Sequence, residues 1–328
     1  MAIHPPTVPL ADPDDSARVL GRDFEVPLDP DFRFRSEAAS PDRVVRARLY
    51  GPEDAPLVIV AGGISAGRIP YAPDGSGWWP GIVGPGAAVD LNRWRVLAFD
   101  FAPLADAEVA VAPADQAGLA GRLLDRLGIG CAHAWIGASY GGMAGLAFAA
   151  EAPGRLGRLC VISAAHRPSA MGVAWRGVQR RIVAFAREAG RPEAGLALAR
   201  QLAMTTYRSP EEFAARFDLD ADAEGMTDLC RYLVARGEAY PGAMPAGRWL
   251  SLSASIDGHR IEPEAVDVPV TLVASDTDRL VPLDDMAELA RRLPRLERFA
   301  RLTSLYGHDA FLKDVEPLTP LLKTFLTA

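Results

Sequence analysis

Ser139 sits in Gly137-Ala138-Ser139-Tyr140-Gly141, after the apolar run Ala134-Trp135-Ile136 and before a helix-like stretch from Met143 to Ala150. A serine flanked by glycines at a strand-to-helix junction has the layout of a nucleophile elbow. The glycines are needed because the turn is too tight for side chains beside it. Such a turn raises the hydroxyl above the carboxyl end of a strand. It also aims the Tyr140 backbone N–H at the oxygen of a carbonyl under attack. The chemistry is acyl transfer through a serine ester. The plainer alternative is a glycine-rich βα turn; the flanking strand and helix favour the nucleophile reading.

A serine hydroxyl is a weak nucleophile and needs a histidine, itself oriented by a carboxylate. On a sheet of this kind the chain order is Ser, then Asp or Glu, then His. Five histidines are available. His4 and His133 precede the serine, and that order excludes them. His166 opens a helical region and reads as a strand-end cap or a wall of the site. His259, in Ile256-Asp257-Gly258-His259-Arg260, reads as a surface or hinge residue. His308 stands between the last strand and the last helix and is the predicted base. For the acid, Asp276 and Asp278 both follow a strand over 270–274. Position alone does not separate them, and capping of the next helix is the ordinary alternative for either.

The elements that must hold these groups can be read from patterning. Val44 to Tyr50 alternates as a half-buried strand does. Leu57-Val58-Ile59-Val60, Arg95 to Phe99, and Leu159-Cys160-Val161-Ile162 are continuous apolar runs, as expected of strands buried on both faces. Residues 61–67 form a glycine-rich loop that would carry a second oxyanion donor near Ala61 or Gly62. Pro113 to Leu127 has helical spacing. Between Ala165 and Ser255 the strand signal disappears, and helices are predicted over 171–188, 194–206, 209–217, 222–238 and 246–255. Beyond it come helix 283–293, a strand near 299–302 and a closing helix over 310–326. Alternating strands and helices predict an α/β class, a mostly parallel sheet covered on both sides. The expected organisation is a partly disordered arm over 1–40, an α/β-hydrolase core over 41–165 and 256–328, and a helical lid over 166–255.

Composition narrows the function. The 328-residue chain is 49% hydrophobic with a net charge of −7, which argues against a nucleic-acid surface. No run approaches a membrane span, so no membrane association is predicted. The first residues lack the basic-then-apolar pattern of a secretory signal, so a cytoplasmic location is expected. Cys131, Cys160 and Cys230 are too scattered for a metal site, and neither metal nor cofactor is expected.

Several motifs together resemble the homoserine O-acyltransferases of the α/β-hydrolase fold, enzymes of methionine biosynthesis. Trp78-Trp79-Pro80-Gly81-Ile82-Val83-Gly84-Pro85-Gly86 is similar to that family's W-W-x-x-x-[IV]-G-P-G loop. The elbow is similar to its G-x-S-M-G-G-M, and Thr277-Asp278-Arg279-Leu280-Val281-Pro282 to S-D-x-L-F-P. Tyr306-Gly307-His308-Asp309-Ala310-Phe311-Leu312 matches Y-G-H-D-A-F-L. Val178 to Arg181, Gly195 to Arg200 and Thr206-Tyr207 resemble lid positions. The resemblance, from about residue 57 onward, implies that Asp278 is the acid and that Arg200 and Asp309 hold the amino-acid substrate's carboxylate and ammonium. Tyr140 departs from the family's methionine, the 60–67 loop lacks its threonine and histidine, and the chain is shorter than typical members.

The acyl donor follows from one further residue. Acetyl-transferring members usually have asparagine where Arg176 stands, and succinyl-transferring members resemble this chain there. Arg176, Gln179 and Arg180 share one helical face, suited to a succinyl carboxylate; a basic patch for CoA phosphates is the alternative. The reading is therefore ping-pong transfer from succinyl-CoA to L-homoserine through Ser139. The alternatives are an acetyl donor, a serine acceptor, or a serine hydrolase using the same triad. An apolar face on a lid helix could serve a homodimer or cover the core.

Overall fold

The computed structural model describes residues 19–328. Its centre is set by four strands in which every residue is buried: β3 (Leu57–Ala61), β7 (Ala134–Ala138), β8 (Leu159–Ile162) and β9 (Val270–Ser275). Side chains alternate across a strand, so a run apolar at every position must be covered on both faces. Leu57, Ile59 and Ala61 pack into one core cluster while Val58 and Val60 pack into the other.

Around these lie β1 (Arg22–Pro27), β2 (Val44–Tyr50), β6 (Arg95–Phe99) and β10 (Leu296–Leu302), in the order β1-β2-β6-β3-β7-β8-β9-β10. β1 and β2 run antiparallel, as do β2 and β6; the remaining neighbours are parallel. Two residue pairs, β4 (Val83–Gly84) and β5 (Val89–Asp90), form a small separate ladder. After β3 the chain moves outward to β6 and then crosses back to β7 on the other side of β3. The loops leaving β3 and β7 therefore diverge, and a crevice opens at that switch point. This is the expected α/β-hydrolase architecture.

Helices α1 (Pro113–Arg126) and α2 (Tyr140–Glu151) cover one face, and α2 is buried along almost its whole length. Between β8 and β9 the chain forms α3 (Ala170–Glu188), α4 (Pro192–Tyr207), α5 (Pro210–Arg216), α6 (Asp228–Glu238) and α7 (Ala246–Gly258). Then come α8 (Leu283–Arg292), α9 (Ala310–Lys313) and α10 (Val315–Thr327). Among the described residues, no helix is long and apolar enough to cross a membrane.

Three expectations need correction. Residues 22–40 do not belong to a loose arm: β1 completes the sheet edge and Phe34 is buried in the core. The signal was weak because one face of an edge strand is solvated, and β1 is held by polar pairs, Asp23 with Arg48 at 2.8 Å and with Arg68 at 3.2 Å. Residues 1–18 of the expected arm lie outside the described residues. The helix expected from 222 starts at Asp228, because Asp222 closes a turn by accepting from the Glu224 and Met226 amides and Thr227 caps the helix. The final helix is broken at Asp314. A continuous helix would drive the Pro317 ring into the Lys313 carbonyl.

The elbow is where packing is tightest. A Cβ at Gly137 would lie 2.3 Å from the Gly141 carbonyl oxygen, and one at Gly141 would lie 2.2 Å from that of Ala61. Both obstacles are backbone and cannot swing aside. We expect Gly141→Ala to destabilise the fold by about 3 kcal/mol or more in denaturant unfolding; a loss below about 1 kcal/mol would show that β3 and α2 can separate freely.

Candidate active site

Ser139 directly follows β7 with φ +52° and ψ −120°, a conformation costly for a residue with a side chain. The turn is fixed by backbone bonds on both sides: Ser139 N–H donates to Ile162 O at 2.9 Å, and Gly141 N–H to Gly62 O at 2.7 Å. Tyr140 is the first residue of α2, where a backbone N–H has no intrahelical acceptor. Its side chain points into the core. The phenol lies 2.7 Å from Ser255 Oγ and edge-on to Phe101, and burial pushes its pKa up.

His308 occupies the loop between β10 and α9. Its Nε2 lies 2.9 Å from Ser139 Oγ, and its Nδ1 lies 2.7 Å from Asp278 Oδ2. The other Asp278 oxygen accepts from the amides of Leu280 (2.9 Å) and Val281 (3.0 Å), so the carboxylate is held at both ends. Burial disfavours the imidazolium, but the charge and hydrogen bond of Asp278, with help from Asp309, raise the His308 pKa overall. Asp276 is used differently: its Oδ1 accepts from Ser304 N–H at 3.1 Å. Thr277 between the two carboxylates accepts from Gly307 N–H at 3.1 Å and donates to Ser304 O at 2.8 Å, tying the Asp278 loop to the His308 loop.

Ser139 and His308 open into a cavity of about 240 Å³ at the switch point, walled by the loop after β3 and by α3 and α4. Arg200, Asp309 and Arg176 all line it, as do Gln179 and Trp78. Arg180 is not on the wall, so the face expected to present three polar residues presents Arg176 and Gln179. Ala61 is also off the wall, buried at the end of β3; the lining starts at Gly63. Gly62 before it has no room for a side chain, since a Cβ would meet Ala66 at 2.7 Å and the Trp78 ring at 2.9 Å. Trp78 in turn stacks on the buried Trp79, whose indole donates to Phe311 O at 2.7 Å beside the His308 loop.

The Arg200 guanidinium lies 4.4 Å from the Tyr240 ring centre and 5.2 Å from that of Tyr207, an aromatic clamp for a cation. Tyr240 is fixed by Ser65, 2.8 Å from its hydroxyl. Asp309 has a neighbour that sequence reasoning missed. The buried Arg208 stands with Nε 3.1 Å from Asp309 Oδ2 and bonds Glu212 at 2.8 Å. Burial raises the Asp309 pKa, with Arg208, His308 and Arg200 opposing. Arg208 directly follows Thr206-Tyr207 at a lid motif, and that adjacency was the available signal. Asp257, which pairs with Arg176 at 2.6 Å, was also missed; a separation of 81 positions leaves no local pattern to read.

His4 lies outside the described residues, and the other three histidines lie elsewhere in the fold. His133 stacks on Trp94, and its Nε2 lies 3.0 Å from Leu326 O near the end of the last helix. His166 is buried and 3.5 Å from Glu288, where burial lowers its pKa despite that carboxylate. His259, read from the sequence as a surface or hinge residue, is only 2% exposed, which excludes the surface, and burial depresses its pKa to about 3. A histidine with a folded pKa below its unfolded value costs nothing above pH 6.5. Stability is lost as pH falls from there toward 3, because the unfolded chain takes the proton first. Between pH 7 and 5 the wild type should lose about 2 kcal/mol more than His259→Gln in urea unfolding. Parallel losses in the two proteins would show that His259 is charged in the fold.

Comparison with known proteins adds a second line of evidence. The family described as the alpha/beta hydrolase fold matches residues 55–315. A homoserine O-succinyltransferase of Xanthomonas campestris pv. campestris is 44% identical over 290 residues, covering 86% of this chain and 78% of that protein. A homoserine O-acetyltransferase of Clavibacter michiganensis subsp. michiganensis is 30% identical, covering 78% of each. Among solved structures, esterase E22 superposes with a TM-score of 0.81 at 18% identity, covering 93% of this chain and 99% of that one. That last likeness speaks to the fold alone.

Proposed function

The chain belongs to the homoserine O-acyltransferases of the α/β-hydrolase fold, and we propose that it transfers a succinyl group from succinyl-CoA to the hydroxyl of L-homoserine. One observation carries this reading. The hydrogen-bonded set of Ser139, His308 and Asp278 opens into a cavity whose wall also holds Arg176, Arg200 and Asp309. A hydrolase needs only the first three.

The reaction proceeds in two displacements. His308, oriented by Asp278, takes the Ser139 proton as Oγ attacks the thioester carbonyl. Charge that develops on the carbonyl oxygen is met by the Tyr140 N–H and by a backbone N–H in the loop at Ala61 to Gly63. The tetrahedral adduct collapses, the C–S bond breaks, and the thiol leaves with the proton from His308. L-homoserine then enters, with its carboxylate toward Arg200 and its ammonium toward Asp309. His308 takes the proton from its hydroxyl, which attacks the ester and releases the O-succinyl product, returning the proton to Ser139. The residues and the two substrates suffice for every step.

Arg200 suits a carboxylate because it is held by two aromatic faces and no acid among the described residues occupies its hydrogen-bonding edge. Asp309 shares Arg208 with Glu212, which divides the cation's charge between two carboxylates. Arg176 supplies the cation that a succinyl donor requires and an acetyl donor does not. The 44% relative, a homoserine O-succinyltransferase, supports this choice over the acetyl alternative.

The test is thiol release from succinyl-CoA and acetyl-CoA, each with L-homoserine and L-serine. Succinyl-CoA with L-homoserine should be fastest by about tenfold or more. Arg176→Asn should lower kcat/KM for succinyl-CoA by about 10- to 100-fold and acetyl-CoA use by much less. Equal losses with both donors would remove Arg176 from donor choice. Thiol release independent of the amino acid would replace transfer with hydrolysis.

A further inference from the structure

Arg176 and Arg180, one turn apart on α3, converge on a single carboxylate near the end of α7. Arg176 Nε donates to Asp257 Oδ1 at 2.6 Å, and Arg180 Nη2 stands 2.6 Å from Asp257 Oδ2. Arg180 is tied down further by Ser253, with Nη1 3.1 Å from its carbonyl oxygen and 3.2 Å from its hydroxyl. The side chains of Arg176 and Asp257 are only 11% and 13% exposed. Two guanidinium groups and one carboxylate leave one positive charge in a secluded place.

That charge has a free end. Arg176 lines the cavity it shares with Ser139 and His308, and its Nη2 is buried with no hydrogen-bond partner among the described residues. Gly172, one turn earlier on α3, leaves the space the guanidinium fills: a Cβ there would lie 3.0 Å from Nη2 and 3.2 Å from Nη1. A buried donor without an acceptor is a standing cost, removed when a ligand brings one.

We propose that Asp257 is a positioning residue for donor choice: by holding Arg176 at Nε it turns the Nη1–Nη2 edge toward the terminal carboxylate of the succinyl group. This rests on the succinyl-transfer reading above. A guanidinium has two edges able to receive a carboxylate bidentately. Asp257 occupies the Nε side, so the edge left is the one beside Gly172. Arg180 supplies the second cation, without which Asp257 would cancel Arg176 and the acyl carboxylate would meet a neutral pair. The side chain is thereby ordered before the donor arrives, and less freedom is lost on binding.

Positioning and charge predict opposite signs, which makes the idea testable. If Asp257 were only a counter-charge, Asp257→Asn would raise the local positive charge and tighten binding of the succinyl donor. If it positions Arg176, the same change loosens it. Steady-state kinetics on the full chain should show Asp257→Asn raising KM for succinyl-CoA about tenfold, with KM for L-homoserine within about twofold. Asp257→Glu should recover part of the loss. In an Arg176→Gln background, adding Asp257→Asn should change KM little, because the group it holds is gone.

An unchanged or lower KM in Asp257→Asn overturns the proposal. So does an equal further loss in the Arg176→Gln background, or a parallel rise in KM for L-homoserine. If Asp257→Asn does not fold, Gly172→Ala displaces the same guanidinium from the other side. It should raise KM for succinyl-CoA alone, and no rise would count against the proposal. Failure of the wild type to use succinyl-CoA with L-homoserine sinks the succinyl reading itself, and that outcome is visible before any variant is compared.

Discussion

The left-handed backbone of Ser139 is the constraint on which everything else depends. A serine held at φ +52° does not stay there unaided. It is kept by a buried strand before it, a buried helix after it, and glycines that let two backbones approach where any Cβ would collide. The same geometry that strains the turn lifts Oγ to within 2.9 Å of His308 Nε2 and leaves the Tyr140 N–H at a helix start. The reversal of strand order at β3 supplies the crevice, and the loops that diverge there become its walls. Fold and chemistry thus share one local cause.

What distinguishes this site from a general serine hydrolase is the way its cations are partnered. Arg200 is clamped by aromatic faces, Arg208 is shared between two carboxylates, and Arg176 is bound at one edge and bare at the other. Each arrangement orders a long side chain, and of the three Arg200 and Arg176 line the cavity beside Ser139. All three arginines come from the insertion between β8 and β9, Arg176 on α3, Arg200 on α4 and Arg208 between α4 and α5. The sheet supplies the acyl-transfer machinery and the insertion supplies the residues suited to recognising charged substrates.

Much of this was legible in the sequence, for reasons that differ by element. The central strands announced themselves because strands covered on both faces are apolar at every position. His308 could be picked from five histidines by chain order together with its place between the last strand and the last helix. Asp276 and Asp278 could not be separated by position, only by the family motif; in the structure their oxygens face Ser304 N–H and His308 Nδ1 respectively. β1 escaped because an edge strand with a solvated face carries few apolar residues, and its ion pairs join it to Arg48 and Arg68 across the fold. Asp257 escaped for the same kind of reason, since a salt bridge spanning 81 residues has no periodicity. The break at Asp314 was different: Pro317 stood in the sequence and was enough to predict it.

The central claim, an acyl-enzyme on Ser139 that waits for an amino-acid alcohol, is tested most directly by mass spectrometry of the protein mixed with succinyl-CoA alone. The account predicts one succinyl group on the peptide containing Ser139, stable against water over many turnover times and discharged promptly by L-homoserine. No adduct on the wild type, an adduct that persists in Ser139→Ala, or discharge by water as fast as by L-homoserine would contradict it.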